Sequence, residues 1–367
     1  MRQKKYCGDS SLEKLSEILE NEKAKKIFLV TGQKSFKLSG AKNKLNKILT
    51  NNYNIEGFSD FSPNPKLEDI KRGFVKFEEK DYDIIIAIGG GSTIDVAKTI
   101  KLLHFNKSKT EIPLVAIPTT GGSGSEATHF IVYYIDKEKQ SKGVPGLTLP
   151  NYVILDPSLI MSLPKSIMAS TGIDALGQAI ESYWSISSTE ESKKLAKEAI
   201  ILVLDNILDA VNNSTPETRY KMMQAANMAG AAINISKTTA CHSIAYPITS
   251  YFKISHGHAV GMTLGELIKF NYGVSEKDCS DKRGVNYIKN TIMEISKILN
   301  CRNPKEAGDK IYSLMRSIGL ETHFSEIGIK KSDLGIIIKN GLDPQRIKNN
   351  PREITKKWIK KILEKIY

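Results

Sequence analysis

Two patterns of apolar residues divide this chain. In the first 157 residues, short runs rich in β-branched residues are separated by stretches whose apolar positions recur every three or four residues. The runs are KKIFLVT (25–31), DYDIIIAIGG (81–90), IPLVAIPTT (112–120) and NYVILD (151–156); the amphipathic stretches include 12–20 and 93–103. Continuous apolar strands alternating with helices predict a mostly parallel sheet covered on both faces. After Asp156 and Pro157 the period becomes helical and stays so, with predicted breaks at Pro164, 212–216, Pro247 and Pro304. The expected organisation is an α/β domain over 1–157 and an all-α domain over 158–367.

Composition agrees and narrows the choices. A chain of 367 residues exceeds one ordinary core, and 40% hydrophobic with 25% charged residues is ordinary for a globular protein. The net charge of +13 raises the question of nucleic acid. Its lysines, however, are spread along the chain and mixed with acids, as in KKLAKEAI, instead of forming a basic stripe with aromatics. No nucleic-acid partner is expected; the charge at most concentrates a small anionic substrate. Cys7, Cys241, Cys279 and Cys301 have no paired spacing, which argues against a disulfide framework or zinc knuckle and for a reducing cytoplasm. No apolar leader and no window of about 18 apolar residues is present, so neither export nor membrane insertion is expected.

Two glycine clusters carry candidate chemistry in the first half. Gly89, Gly90, Gly91 and Ser92 follow a buried strand and open a helix whose first turns carry Asp95. Glycines at such a turn let the backbone approach a phosphate, and the free N–H groups of the helix start face the anion. A tight turn needing positive φ is the structural alternative, and it explains one glycine better than three. The second cluster, PTTGGSGSEAT (118–128), matches G-x-G-x-x-A by letter, but HFIVYYID after it reads as a strand, so the dinucleotide fingerprint fails there. Thr119, Thr120 and Ser125 are its polar candidates for closing over a nucleotide, and a purely structural loop fits the pattern equally well.

In the second half, Asp174 and Gln178 stand four residues apart on a predicted helix and share a face. His242 and His256 head two later apolar segments, and with the first pair they make a candidate four-ligand cation site. Local capping or core hydrogen bonding accounts for each residue taken singly.

The ordered motifs GGGSTIDVAK, PTTGGSGSEAT, LDPSLIMSLP, TGIDALGQAIESY and HGHAVG, with His242 and His256, resemble the iron-containing (group III) alcohol dehydrogenase family over the full length. The resemblance implies a dehydroquinate synthase-like architecture, with an α/β nucleotide-binding domain, a helical metal- and substrate-binding domain, and an active site in the cleft between them. It implies NAD(P)H and a divalent metal, Fe²⁺ first and Zn²⁺ second. It places Asp174, Gln178, His242 and His256 at the ligand positions. Gly89, Gly90, Gly91, Ser92 and Asp95 fall on the pyrophosphate loop, Thr119, Thr120 and Ser125 on a second nucleotide loop, and Lys142 near a lysine that touches the cofactor.

Two departures stand out: Gln178 replaces a ligand histidine, and Tyr246 replaces a second histidine four residues after His242. The strings DALGQAIESYWS and AINISKTTACHSIAYPITS are similar to the phosphonoacetaldehyde reductase branch, which implies a small anionic aldehyde reduced by hydride transfer. Tyr246 is then a candidate proton relay, and Lys237 followed by His258 are candidates for meeting the anionic group. The segment LVTGQKSFK offers Gly32, Lys34 and Ser35 near the adenosine ribose with no acid, so NADPH is expected to be accepted, alongside NADH. Another small alcohol or sugar-acid substrate, and a catalytically silent nucleotide-binding protein, are the alternatives. A cytoplasmic homodimer is expected.

Overall fold

The computed structural model describes residues 3–49, 52–136 and 138–367. The chain divides into two compact units, Met1–Leu163 with Thr215–Met223, and Pro164–Ser214 with Gln224–Tyr367. The first break falls a few residues after the sequence boundary at 157 because Leu159, in the turn Pro157–Ile160, packs into the core of the first unit.

In the first unit the strands β1 (Lys4–Cys7), β2 (Lys26–Thr31), β3 (Asn54–Phe58), β4 (Ile84–Gly89), β5 (Leu114–Pro118) and β8 (Tyr152–Leu155) form one sheet of order β1-β8-β5-β4-β2-β3. Every pairing in it is parallel. Strands β6 (Ile131–Ile135) and β7 (Glu138–Lys142) make a separate antiparallel hairpin. Helices α1 (Lys14–Asn21), α2 (Ser35–Leu38), α3 (Ala41–Ile48), α4 (Leu67–Phe77) and α5 (Gly91–Ser108) connect the strands. Side-chain alternation explains why β4 reads as an unbroken apolar run. Ile84, Ile86 and Ile88 face one core with Leu15, Ile18 and Leu45, while Ile85 and Ala87 face the other with Ile70, Ile94 and Ile100.

The strand order reverses between β2, which leads outward to β3, and β4, which leads the other way to β5. Ligands of open parallel sheets bind at such a switch point, off the carboxyl ends of the strands. The turns there are Gly32 after β2 and Gly90 after β4.

The second unit is helical throughout: α6 (Lys165–Trp184), α7 (Glu190–Asn212), the later part of α8 (Pro216–Ser236), α9 (Ala240–Phe252), α10 (His256–Tyr272), α11 (Val285–Ile298), α12 (Pro304–Ser317), α13 (Leu334–Asn340), α14 (Pro344–Ile347) and α15 (Lys356–Lys365). Start signals act as physical chemistry requires. The Asn303 side chain accepts from Glu306 N–H with Pro304 next in line, and Asp343 accepts from Gln345 and Arg346 N–H ahead of Pro344. Pro247, read from sequence as a break, lies inside α9. The helix ends instead at Lys253, whose φ of 60° is left-handed. No helix among the described residues is long and apolar enough to cross a membrane.

Candidate nucleotide turn and cation cage

Gly89, Gly90 and Gly91 owe their identity to close packing. None has positive φ. A Cβ on Gly89 would lie 2.2 Å from Thr93 Oγ1, and one on Gly91 2.8 Å from Ser123 Oγ. The missing side chain at Gly91 therefore lets the first loop nest against the second, where Thr119 N–H donates to Gly89 O at 2.9 Å, while that at Gly89 makes room for Thr93 of α5. Gly90 is the N-cap of α5, so the unbonded N–H groups of its first turn open at the switch point.

Asp95 and Ser125 are drawn into the joint itself. Ser125 Oγ donates to Asp95 Oδ1 at 2.6 Å, and buried Lys98 donates to Ser125 Oγ (3.0 Å), Thr128 Oγ1 (3.4 Å) and Phe130 O (2.9 Å). Burial raises the Asp95 carboxyl and lowers the Lys98 ammonium to about 8. Both side chains knit the loops, and Lys98 is a site residue that carries no motif signal of its own in the sequence. Thr119 Oγ1 is buried without a hydrogen bond, Thr120 is half-buried, and Ser92 Oγ accepts from Asn64 N–H at 3.3 Å. Gly32 and Ser35 are half-buried at the first turn, where a Cβ on Gly32 would lie 2.2 Å from Ser35 Oγ; Lys34 is exposed there. Lys142 is exposed at the end of β7.

In the second unit, α6 presents Asp174 and Gln178 one turn apart, both buried. Helix α10 crosses it so tightly that a Cβ on Gly257 would lie 1.9 Å from Ser170 O and 2.8 Å from Asp174 Cβ. That approach sets His256 beside Asp174. Helix α9 brings His242, and one ligand atom each from Asp174, His242 and His256 fall within 4.8 Å of one another. His242 Nε2 and Asp174 Oδ1 are 3.3 Å apart, both buried without a hydrogen bond. Buried, unsatisfied donor atoms turned toward a common point are what a divalent cation fits, and the amide of Gln178 lies one turn along the same helix face.

Glu181, missed from sequence, fixes the histidine. Its carboxylate pairs with His242 Nδ1 and accepts from Cys241 N–H (2.7 Å) and Thr239 Oγ1–H (2.6 Å). Trp184 Nε1–H in turn donates to Thr239 Oγ1 at 2.8 Å. With Nδ1 facing a carboxylate, Nε2 is left to face the cage. Burial alone would lower the His242 pKa, but Glu181 and Asp174 overcome it and hold the ring up at about 9, so the pocket favours a cation at Nε2.

Tyr246 stacks on His256, ring centroids 6.0 Å apart, and its hydroxyl accepts from Arg346 Nε–H at 3.1 Å. Arg346 is 6% exposed and was not anticipated from sequence. Of the two residues expected to meet an anion, His258 is placed differently from that expectation. Lys237 is exposed at the end of α8 with φ 62°. His258 Nε2 bonds Glu321 O at 2.7 Å, and its backbone N–H donates to Ser170 Oγ, so it serves as a strut.

A glycine turn at a sheet switch point in one unit and a two-histidine, one-carboxylate cage in the other are the parts that a nicotinamide-linked, metal-binding oxidoreductase requires. Similarity to known proteins makes this specific. Residues 3–157 match iron-containing alcohol dehydrogenase and residues 168–367 match the C-terminal part of the Fe-containing alcohol dehydrogenase family. The chain belongs to that family and is an NAD(P)-dependent alcohol dehydrogenase that works with a metal. It is 29% identical over 303 residues to phosphonoacetaldehyde reductase of Streptomyces viridochromogenes, spanning 77% of this chain and 75% of that protein. It is 28% identical to the NADPH-dependent butanol dehydrogenase of Clostridium saccharobutylicum, spanning 99% and 96%. Among solved structures, sulfoacetaldehyde reductase from Bifidobacterium kashiwanohense in complex with NAD⁺ superposes with a TM-score of 0.86 at 26% identity, covering 99% and 96%.

Proposed function

We propose that the protein reduces a small anionic aldehyde, phosphonoacetaldehyde, to 2-hydroxyethylphosphonate with NADPH or NADH. The observation that carries the oxidoreductase chemistry is the convergence of Asp174, His242 and His256 on one point. Similarity to a phosphonoacetaldehyde reductase and to a sulfoacetaldehyde reductase supports an aldehyde with an acidic head group.

Asp174, Gln178, His242 and His256 would hold the ion, Fe²⁺ in preference to Zn²⁺. A bound divalent ion supplies Lewis acidity to the carbonyl oxygen as hydride arrives at carbon. The protein's own groups prepare that event. Glu181 fixes the His242 tautomer, and Tyr246, whose ring stacks on His256, carries the hydroxyl that would give a proton to the new alkoxide. In the first unit, the N–H groups at the start of α5 meet pyrophosphate. At Gln33 and Lys34 the turn after β2 offers no acid to repel a 2′-phosphate, which supports use of NADPH. Like the substrate, a cytoplasmic homodimer is part of this proposal.

The test is oxidation of NADPH and NADH by the purified protein, before and after adding Fe²⁺, with phosphonoacetaldehyde, butanal and glycolaldehyde in parallel. A kcat/KM for phosphonoacetaldehyde well above the neutral aldehydes is expected. Equal rates on all three would leave a general alcohol dehydrogenase, and a large preference for NADH would remove the NADPH assignment.

A further inference from the structure

The glycine-rich loop from Thr119 to Phe130 runs beside the start of α5, and it is fixed there at several points along its length. At its beginning, Thr119 N–H donates to Gly89 O at 2.9 Å. Thr120 lies against the helix cap, since a Cβ on Gly90 would sit 3.4 Å from Thr120 Cγ2. Ser123 Oγ fills the space that a Cβ on Gly91 would need. The far end is held by a side chain from further along the same helix, the fully buried Lys98. Its ammonium donates to Ser125 O, to Ser125 Oγ at 3.0 Å, to Phe130 O at 2.9 Å and, more weakly, to Thr128 Oγ1 at 3.4 Å. Ser125 Oγ–H in turn donates to Asp95 Oδ1 at 2.6 Å, three residues before Lys98.

A buried ammonium is a poor way to fill space, because a methionine of similar length avoids the desolvation penalty. What it supplies is a set of directed donors, and the bonds named above all end on the stretch from Ser125 to Phe130. We propose that Lys98 is a positioning residue for the dinucleotide, holding this loop in place beside the N–H groups at the start of α5 before nucleotide arrives. The proposal rests on the reading that those N–H groups meet pyrophosphate. Ordering a loop at the moment of binding subtracts from affinity, and a loop fixed beforehand avoids that loss.

The test uses full-length protein loaded with metal, as wild type, K98M, S125A and G90D. ADP, which carries the pyrophosphate, and adenosine, which does not, are titrated by calorimetry; NADPH binding is followed by its fluorescence. K98M is expected to bind ADP and NADPH about tenfold more weakly, with adenosine affinity within about twofold of wild type. S125A keeps the ammonium but removes the oxygen shared with Asp95, and it weakens ADP by about threefold in the same selective way. In G90D an ordinary cap residue puts a carboxylate at the helix start, so the fold is kept and ADP is lost. A purely structural role for Lys98 would lower the melting temperature of K98M and leave the ratio of ADP to adenosine affinity unchanged. G90D binding ADP as the wild type does overturns the pyrophosphate placement and the positioning role together. Loss of ADP in G90D, with K98M and S125A keeping the wild-type ratio, overturns the positioning role alone. Should K98M lack a cooperative melt, the ratio in S125A decides between the same outcomes.

Discussion

Replacing Glu181 with glutamine keeps its volume but reverses one hydrogen bond at the centre of the cage. The side chain is fully buried and meets His242 Nδ1, Cys241 N–H and Thr239 Oγ1–H. The amide oxygen can still accept from Cys241 or Thr239. Its NH₂ then faces His242 Nδ1, which must give up its proton and become an acceptor. The proton moves to Nε2, the atom 3.3 Å from Asp174 Oδ1, and a protonated Nε2 cannot bind a metal. Loss of a carboxylate behind a ligating histidine weakens metal binding by about 10–100-fold, or roughly 1.4–2.8 kcal/mol. Competition of E181Q against a chromophoric chelator for Zn²⁺ and for Fe²⁺ under anaerobic conditions reads this directly. The thermal melt is taken in parallel, because losing charge-assisted bonds from a buried site also costs stability, about 1–3 kcal/mol. Metal affinity within about threefold of wild type would refute the idea that Glu181 sets the His242 tautomer.

Three other outcomes follow from the same geometry. In G257A the new Cβ meets Ser170 O at 1.9 Å, so α6 and α10 must separate; unfolding by urea should show a loss of about 1–3 kcal/mol together with lost metal, and unchanged metal content would contradict the crossing. Burial holds Lys98 at about 8 against an ordinary 10.5, so between those values the unfolded chain carries the extra proton and folding stability rises with pH. Against K98M the wild type should gain up to about 1.4 kcal/mol per pH unit across that window, and parallel stability profiles would count against a buried ammonium. In Q178H an imidazole replaces a neutral amide oxygen, so Zn²⁺ affinity should rise by about tenfold or more; weaker binding would remove Gln178 from the cage.

What the sequence exposed depended on how strongly each element repeated a pattern. Strands β2, β4, β5 and β8 were plain because both of their faces are buried, which makes a continuous apolar run. The edge strands β1 and β3 escaped notice. Their residues, KKYC and NIEGF, are mostly exposed, and each pairs along one side only. Pro247 misled for a different reason: a proline disturbs only its own N–H and the turn before it, and α9 carries on through it. Of the site, Asp174 and Gln178 were readable by their spacing of four, and Glu181 at seven residues from Asp174 repeats that face, a signal present but unused. Arg346 gave none. It sits in a helix of four residues without periodicity, and its meaning comes only from a partner a hundred positions away.

The same tension between burial and charge recurs in both units, and it explains why the two sites are built differently. A nucleotide would bring its own negative charge, which backbone N–H groups at the start of α5 could meet, while Lys98 and Asp95 offset each other inside the loop joint. The cage must instead concentrate negative potential, which Asp174 does directly and Glu181 does through His242. Two carboxylates acting on one buried point offset what a neutral Gln178 lacks as a donor.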